Sequence, residues 1–407
     1  MRLCGRDGTI SAILSGLFRA GRPIHTKMGT RNMSRINPPY RADVVGSFLR
    51  TNAVKRARAD FAAGVITRDE LTAVEDREIA DLVRKEKQNG LVAVTDGEFR
   101  RSFWHLDFIA ALSGIKHIKA EAWSVHFEGK QPKAETVVID GRIGFPENHP
   151  FLDAFDRLKK IAGTTPVKYT IPSPSMLHLI CCVRATDYQP IDIYRDNEER
   201  LFDDIAQAWT DAMLALYERG CRYLQFDDTS WGEFCSAEKR KVYADRGIDV
   251  DRIGRLYVAC INKILDKKPA DLTVTMHICR GNFRSTWFSS GGYEPVADIL
   301  FSHCRVDGFF LEYDTDRAGS FEPLRFIKDQ TVVLGLITSK FPVLEDKEAV
   351  KARIKEATKY VPLNQLALSP QCGFSSTEEG NILTEEAQWA KVRLVVEIAK
   401  EVWPDTL

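Results

Sequence analysis

The 407-residue chain lacks several features that would place it in a specialised class. Its 57 basic residues are matched by 57 acidic ones, so it has no net charge to attract a polyanion such as nucleic acid. No apolar run approaches the roughly 20 residues that a membrane-spanning helix needs. The nine cysteines have no even spacing, which favours free thiols in a reducing compartment over a disulfide framework. We therefore expect a cytoplasmic protein with small-molecule partners, and homo-oligomerisation stays open.

The first 37 residues differ in composition from the rest. Seven basic residues accompany a single acid in the first 35, and a short apolar stretch covers residues 10–18. This composition is typical of a mitochondrial transit peptide or a disordered tail. Alternatively, translation begins at Met28 or Met33. Either interpretation predicts that residues 1–37 are a leader and that one domain covers residues 38–407.

From residue 43 onward, short β-rich runs alternate with long amphipathic stretches, as in a parallel sheet connected by helices. A capping box predicts one helix from Thr67 to Asn89–Gly90, and the apolar pattern predicts another over residues 197–219. Eight parallel strands close a (β/α)8 barrel, and no linker or short repeat divides the region. We therefore predict an α/β fold consisting of one TIM barrel. The eight predicted strands are residues 43–46, 91–95, 167–171, 223–226, 273–276, 308–311, 331–336 and 365–368.

One segment departs from the alternation of strands and helices. Residues 121–143 are too short and too irregular for another βα unit, and we predict a β-hairpin excursion there. Residues 136–139 would form one arm, and Asp140–Gly141 would form its turn.

Polar side chains follow every predicted strand. Because the carboxyl ends of parallel barrel strands share one mouth, these side chains should lie near one another, where barrel enzymes build their active sites. They are Ser47, Asp96, Glu98, Ser173, Ser175, Asp227, Asp228, His277, Cys279, Glu312, Thr338 and Cys372.

Four of these side chains suggest a metal site. His277 and Cys279 are two residues apart at the end of a strand, so both point to the same face. Cys372 adds a second sulfur, and Glu312 supplies an oxygen from the intervening strand. Sulfur beside nitrogen favours zinc, and ligands from separate strand ends, without a C-x-x-C pair, favour a catalytic site. The alternative is a buried core histidine with two buried cysteines.

This donor set predicts a class of chemistry as well as a metal. Catalytic zinc keeps three firm protein ligands and one exchangeable position, so we expect Glu312, or a water beside it, to give way to an incoming thiol. Metal coordination deprotonates a thiol near neutral pH and makes a sulfur nucleophile. We therefore predict one Zn²⁺ per chain and alkyl transfer to sulfur.

Glu98 and Asp227 follow two other strands at the same mouth. Paired carboxylates act as general acid and base in glycosidases, and that role is open here. They could equally hold a substrate ammonium group, while backbone N–H groups at Gly46–Ser47 hold its carboxylate, which together would bind an α-amino acid. A third interpretation is that both are solvated strand-end acids.

Five motifs in order resemble the catalytic barrel of the cobalamin-independent methionine synthase family, and particularly its short single-barrel members, over about residues 38–403. The resemblance implies that zinc is bound by His277, Cys279, Glu312 and Cys372. It also implies that Val45, Gly46 and Ser47 hold the homocysteine carboxylate, that Glu98 and Asp227 hold its amino group, and that a methylated folate donates the methyl group to form methionine. The motifs are residues 45–50, 96–101, 224–228, 277–279 and 369–373.

Two departures from the family pattern concern the methyl donor. The chain has no room for the extra N-terminal barrel that helps the full-length family bind polyglutamylated folate. The family's histidine after the seventh strand is also missing, because residues 335–340 read Gly-Leu-Ile-Thr-Ser-Lys. A folate nitrogen is a poor leaving group unless it is protonated. Either another acid therefore replaces that histidine, or the methyl donor is already activated, as a methyl-corrinoid is.

Two alternative functions fit the same metal site. One is an alkyl or epoxide transferase acting on another thiol such as coenzyme M, although Glu98 and Asp227 would repel its sulfonate. The other is a zinc- or thiol-binding protein without turnover.

Overall fold

The structure of the protein is a computed structural model that describes residues 37–119, 127 and 134–404. The predicted leader lies almost entirely outside these residues, so its interpretations and the boundary at residue 38 stay predictions. The strands in the described part are β1 (Ser113–Lys119), β2 (Glu135–Gly144), β3 (Lys168–Pro172), β4 (Tyr223–Asp228), β5 (Thr273–Ile278), β6 (Gly308–Glu312), β7 (Thr331–Ile337) and β8 (Leu366–Pro370).

Twelve α-helices alternate with these strands in the described part of the chain. They are α1 (Asn52–Ala62), α2 (Arg68–Gln88), α3 (Leu106–Ile109), α4 (Pro150–Ala162), α5 (Pro174–His178), α6 (Glu198–Glu218), α7 (Ser230–Phe234), α8 (Ala237–Asp245), α9 (Val250–Leu265), α10 (Glu294–Phe301), α11 (Lys347–Ala357) and α12 (Glu385–Val402). A π-helix covers Leu179–Arg184, and short 3-10 helices cover Asp316–Ala318, Glu322–Phe326 and Leu363–Gln365.

The α/β barrel prediction is confirmed. Strands β3 to β8 form a parallel sheet in chain order, and two extended segments near residues 42–47 and 94–97 close the ring. These segments contribute isolated parallel bridges instead of full strands, because side chains take some of their backbone N–H groups. The Asp43 carboxylate accepts from Val44 N at 2.8 Å, and Glu86 accepts from Thr95 N at 3.1 Å. The closing bridges join Ala42 to Leu368, Ser47 to Gly97 and Val94 to Val167.

The two helices predicted from the sequence are present near the predicted bounds. In α2, Thr67 Oγ1 accepts from Glu70 N at 3.2 Å and Glu70 Oε2 accepts from Thr67 N at 2.8 Å, which completes the capping box. The helix ends at Asn89. Helix α6 begins one residue after the predicted start, with the Asn197 side chain as its N-cap.

The predicted hairpin exists, but its predicted turn is wrong. Strands β1 and β2 pair antiparallel, and Asp140–Gly141 lies inside β2 instead of at a turn. The register changes between the Ile115–Ile139 pair and the Ser113–Gly144 pair, so four residues of β2 form a bulge opposite Gly114. An Asp-Gly pair fits a bulge as well as a turn, and this is why the local signal misled. Residues 120–126 and 128–133 lie outside the described residues.

The core has an outer and an inner part. The apolar faces of the helices pack on the outside of the barrel in one large cluster. Inside the barrel, Val45, Phe310, Val333 and Ala367 pack together. Among the described residues, no helix has the length and apolar character needed to cross a membrane.

Candidate metal centre and substrate cavity

The ends of three barrel strands bring the predicted metal ligands together. His277 lies in β5 and Cys279 directly follows that strand, while Glu312 is the last residue of β6. Cys372 lies two residues beyond β8. All four side chains are buried, and one potential ligand atom of each lies within 4.8 Å of the others.

The spacing of these atoms suits a tetrahedral metal site. Cys279 Sγ and Cys372 Sγ are 3.6 Å apart, and two sulfurs bound to one zinc at the usual bond length would be about 3.8 Å apart. His277 Nδ1 is 3.2 Å from the Phe310 carbonyl oxygen, whereas its buried Nε2 has no hydrogen-bond partner. A backbone carbonyl on one ring nitrogen commonly orients a histidine ligand through the other nitrogen. The residues therefore fit a divalent metal ion.

The two thiols differ in their tendency to ionise. The hydrogen bond between them lowers the pKa of Cys372 well below its usual range, although burial acts against this, and the same bond raises the pKa of Cys279. Burial raises the pKa of Glu312, and nearby Arg317, whose Nη2 is 3.4 Å from Glu312 Oε2, opposes the rise. The centre therefore favours one thiolate before any metal binds.

Lys340 is a fully buried cation behind this centre. Its Nζ donates to Asn282 Oδ1 at 2.9 Å and lies 3.3 Å from the Gly281 carbonyl oxygen. Gly281 N in turn donates to Cys279 Sγ at 3.3 Å, and the Asn282 amide donates to the Gly373 carbonyl at 2.6 Å. Lys340 thus joins the loops after β5, β7 and β8, two of which carry the cysteine ligands.

Glu98 and Asp227 line the cavity in front of the metal ligands. Glu98 Oε1 accepts from Thr170 Oγ1 at 3.1 Å and lies 3.6 Å from Arg101 Nη1, while its buried Oε2 has no partner. Burial raises the pKa of Glu98, opposed by Arg101. Burial also raises the pKa of Asp227 to about 7, and the Gln225 amide donates to Asp227 Oδ1 at 2.7 Å. Neither acid is a solvated strand-end group.

The backbone at Glu98 is unusual. Glu98 has φ +61°, a left-handed conformation that is rare for a residue with a side chain, and it directly follows Gly97 at φ +62°. The Asp96 carboxylate holds the turn by accepting from Glu98 N at 2.9 Å. Such strain commonly occurs where a side chain must be aimed at a functional site.

The segment Val45–Ser47 lies beside these acids, because Ser47 pairs with Gly97 and the Gln225 amide donates to both the Val45 carbonyl and Asp227. Val45 and Ser47 line it, and Gly46 packs so tightly that a Cβ would lie 2.8 Å from Thr170 Cγ2. Ser47 Oγ accepts from Ser375 N at 3.3 Å, and a Cβ on Gly373 would lie 1.9 Å from that oxygen. The loop after β8 therefore fixes the position of Ser47.

The catalytic-domain model of the cobalamin-independent synthase family matches residues 41–401. The chain belongs to this family. It is 48% identical to the uncharacterized protein YxjG of Bacillus subtilis over 376 residues, which are 92% of this chain and 97% of that protein. A crystal structure of a putative vitamin-B12-independent methionine synthase from Listeria monocytogenes is 43% identical, with a TM-score of 0.70 over 90% of this chain and 98% of that one.

A more distant member shares the fold. The structure of a B12-independent methionine synthase from Shewanella in complex with selenomethionine has a TM-score of 0.66 and 19% identity. It covers 89% of this chain and 97% of that one. The similarity therefore covers nearly the whole length of both solved structures.

Sequence reasoning missed most of the cavity wall of this synthase-family barrel. Aromatic rings dominate the wall, and Phe127 lies 5.4 Å from Phe283 and 5.3 Å from Phe288, measured between ring centroids. Trp104 also lines the cavity next to His105. Burial, with Arg184 adding to the effect, lowers the pKa of His105 to about 3, so it is neutral at physiological pH.

Arg184 is a second residue that was missed. It ends the π-helix, lines the cavity and donates from Nε to Glu233 Oε1 at 2.9 Å. A π-helix inside a helical segment is common at functional sites, but no sequence signal announces it. In contrast, Asp228 serves the fold, because Ser230 N donates to it at 2.6 Å and Ser175 donates to its other oxygen.

Proposed function

We propose that this protein is a zinc-dependent methyltransferase that moves a methyl group to the thiol of homocysteine and forms methionine. The buried cluster of one imidazole, two thiols and one carboxylate is the observation that carries the proposal. Imidazole and sulfur donors favour zinc among the common divalent metals. His277, Cys279, Glu312 and Cys372 would hold it. Bound zinc would supply the positive charge that keeps a substrate thiol deprotonated at neutral pH.

The cavity beside the cluster suits the amino-acid end of homocysteine. Glu98 and Asp227 are buried carboxylates without a full set of cationic partners, and a substrate ammonium would provide the missing charge through charge-assisted hydrogen bonds. Val45, Gly46 and Ser47 lie next to these acids, where they would hold the carboxylate. The Shewanella protein's bound selenomethionine, an analogue of the proposed product, supports this choice of substrate.

The aromatic wall favours a flat methyl donor, and both a methylated folate and a methyl-corrinoid satisfy that requirement. A folate donor requires a proton on its leaving nitrogen. His105 is neutral and cannot be the acid at neutral pH. Asp227, with a pKa of about 7, can hold a proton there only while it does not hold the homocysteine ammonium, so acid–base catalysis and ammonium binding are alternative roles for Asp227.

The test supplies the zinc-loaded full chain with either homocysteine or coenzyme M as the thiol. Each thiol is combined in parallel with methyltetrahydrofolate, its triglutamate form or methylcobalamin, and the methylated thiol is measured by mass spectrometry. Methionine formed from one donor and not the others would identify that donor. Homocysteine that binds without forming methionine from any donor would favour a thiol-binding protein. Methyl transfer to coenzyme M but not to homocysteine would favour the other transferase.

Cys372→Ser is the matching variant for the metal site. Replacing the sulfur with a hard hydroxyl removes a soft ligand, so we expect both zinc retention and methionine formation to be lost. Cys182→Ser, at a half-buried cysteine outside the cluster, should retain both. Zinc content measured by mass spectrometry decides the point, and a Cys372→Ser protein with full zinc content would contradict the proposed ligand set.

A further inference from the structure

A second cavity, of about 720 Å³, lies between α1, α2 and the loops that follow the second and eighth barrel segments. Its volume is within the range of ordinary ligand sites. Basic side chains dominate its polar lining, and we call it the cationic groove. They are Arg50, Lys55, Arg58, Arg68, Arg100 and Arg284.

The acids in and beside the groove pair with only some of these cations. Among the described residues, Lys55, Arg68 and Arg284 form no ion pair, whereas Arg58 and Arg100 share Glu75 and Arg100 also pairs with Asp76. Three acids also line the groove. Asp107 accepts from the backbone N–H groups of Ser102 and Phe103, Glu378 lies 3.6 Å from Arg58 Nε, and Glu379 forms no ion pair within the described part.

Arg50 is the buried cation of the groove. It is 3% exposed and donates only to carbonyl oxygens, including that of Arg101 at 3.2 Å, while its Nε is buried without a partner. Burial lowers the pKa of Arg50 to about 10, and Glu98 opposes this shift. Burial also lowers the pKa of Lys55, with Arg50 adding to the shift and Glu379 opposing it. A buried guanidinium without a carboxylate partner is costly unless an anion arrives.

The backbone aims Arg284 at the groove. Arg284 has φ +48° and Ser285 has φ +68°, two consecutive left-handed residues that are not glycine. Asn381 Oδ1 accepts from Ser285 N at 3.0 Å, and Ser285 Oγ donates to the Lys340 carbonyl at 2.6 Å, so the strained turn is held firmly. Strain of this kind clusters where a side chain must be presented to a ligand.

The groove and the substrate cavity share a wall. Phe103 and Thr377 pair in an antiparallel bridge and line the substrate cavity. The adjoining residues Ser102 and Glu378 line the groove, and Glu378 N donates to the Ser102 carbonyl at 3.0 Å. A ligand seated in the substrate cavity could therefore extend over this bridge into the groove.

We propose that the cationic groove binds an oligoanion that carries carboxylate or phosphate groups. Its source is either the carboxylate tail of the methyl donor or a free anion. The tail version rests on the proposed function, whereas anion binding itself does not. Guanidinium groups bind both carboxylate and phosphate in bidentate geometry, which explains why this surface is built mainly of arginine.

The test measures binding of a triglutamate peptide, a single glutamate and inorganic phosphate to the full chain by calorimetry. The variants are Lys55→Glu and Arg284→Glu. The matched control is Lys359→Glu, an exposed lysine outside the groove that also lacks an ion pair in the described part. We expect triglutamate binding to weaken about tenfold in each groove variant. Raising the salt concentration to about 0.5 M should weaken binding to the native chain by a similar factor. The control variant should bind triglutamate as the native chain does.

The outcomes distinguish a tail of the methyl donor from a free anion as the ligand of the groove. They also separate failure of this inference from failure of the proposed methyltransferase function. Triglutamate that binds more tightly than glutamate, and is displaced by phosphate, supports a tail site. Phosphate that binds as tightly as triglutamate, with the same loss in the variants, supports a free-anion site. Absence of binding to the native chain, or binding that both charge reversals leave unchanged, overturns the inference. Because the measurement needs no methyl transfer, failure of the methionine assay leaves this test intact.

Discussion

Asp227 is the residue whose ionisation should control substrate binding. Its pKa of about 7, raised by burial, means that it is neutral below that pH and anionic above it. Because an anionic carboxylate is needed to hold the homocysteine ammonium, we expect homocysteine affinity to fall as the pH drops from about 8 to about 6. Calorimetric titrations across that range measure the effect. Asp227→Asn should bind homocysteine more weakly, and its affinity should no longer change with pH. If the variant kept the pH dependence, a group other than Asp227 would be responsible for it.

Lys340 should support the metal centre without touching the substrate. In Lys340→Met, Asn282 and Gly281 lose their buried donor, and the loops after β5 and β7 lose one of their connections. A lost hydrogen bond to a charged donor costs about 1.5–3 kcal/mol, so zinc should dissociate at least about tenfold more readily. Competition with a chromogenic chelator measures this.

Lys391→Met is the control for that variant. Lys391 is equally buried, but its Nζ is paired with Glu345 at 3.1 Å, away from the metal ligands. We expect it to lower stability and leave zinc affinity unchanged. Equal zinc affinity in the native, Lys340→Met and Lys391→Met proteins would show that Lys340 serves only the fold.

The sequence predicted that the four proposed metal ligands lie close together, because strand ends are readable from local patterns. Residues i and i+2 on a strand share a face, and parallel strands end at one mouth, so His277, Cys279, Glu312 and Cys372 could be placed together without coordinates. Lys340 and Arg184 could not be placed in this way. Their roles depend on loop paths and on a π-helix, which no periodic pattern encodes.

At the scale of elements, local signals succeeded where one segment determines its own structure. The capping box of α2 lies within four residues, and it was predicted correctly. The first two barrel segments were predicted as full strands, but the carboxylates of Asp43 and Glu86 take backbone N–H groups that a strand would use for pairing. Glu86 lies on the preceding helix, so its contact with Thr95 depends on tertiary packing.

The bulge of the hairpin depends on Gly114. It has φ +75°, and a Cβ there would lie 2.3 Å from the Arg142 carbonyl oxygen. Gly64 has a similar φ of +71° but nothing within 4 Å, so Gly64→Ala isolates the cost of backbone strain alone. We expect Gly64→Ala to lower the free energy of unfolding by about 1 kcal/mol and Gly114→Ala by about 3 kcal/mol or more, since steric overlap adds to strain. Urea unfolding measures both, and equal losses would mean that the hairpin relaxes around the added methyl group.

At the scale of the whole molecule, the two ends of the barrel hold different groups of buried polar side chains. The proposed metal ligands gather at the carboxyl ends of the strands. At the amino ends, Lys168 Nζ lies 3.3 Å from Asp43 Oδ1, and Tyr223 Oη donates to Asp43 Oδ2 at 2.8 Å. Asp43 belongs to the first barrel segment and Lys168 to β3. The second barrel segment, near residues 94–97, lies between these two, so the ion pair connects its neighbours on either side. The division predicts that stability and metal binding can be altered separately.

Lys168→Met tests that separation. Its ammonium is fully buried, and its loss leaves the Asp43 carboxylate buried without a cation. Removing one partner of a buried ion pair typically costs about 3–5 kcal/mol, whereas an exposed pair is worth at most about 1 kcal/mol. Lys263→Met, which breaks the exposed pair with Asp203, is therefore the matched control.

Urea unfolding should show the large loss for Lys168→Met and a small one for Lys263→Met, with zinc content unchanged in both. Adding Asp43→Asn to Lys168→Met should restore part of the stability, because the uncompensated carboxylate is then removed as well. A double variant no more stable than Lys168→Met alone would mean that packing of the lysine stem, and not its charge, holds the amino end of the barrel closed. Loss of zinc in Lys168→Met would show that the two ends of the barrel are coupled through the strands, and the site could then not be treated as independent of barrel closure.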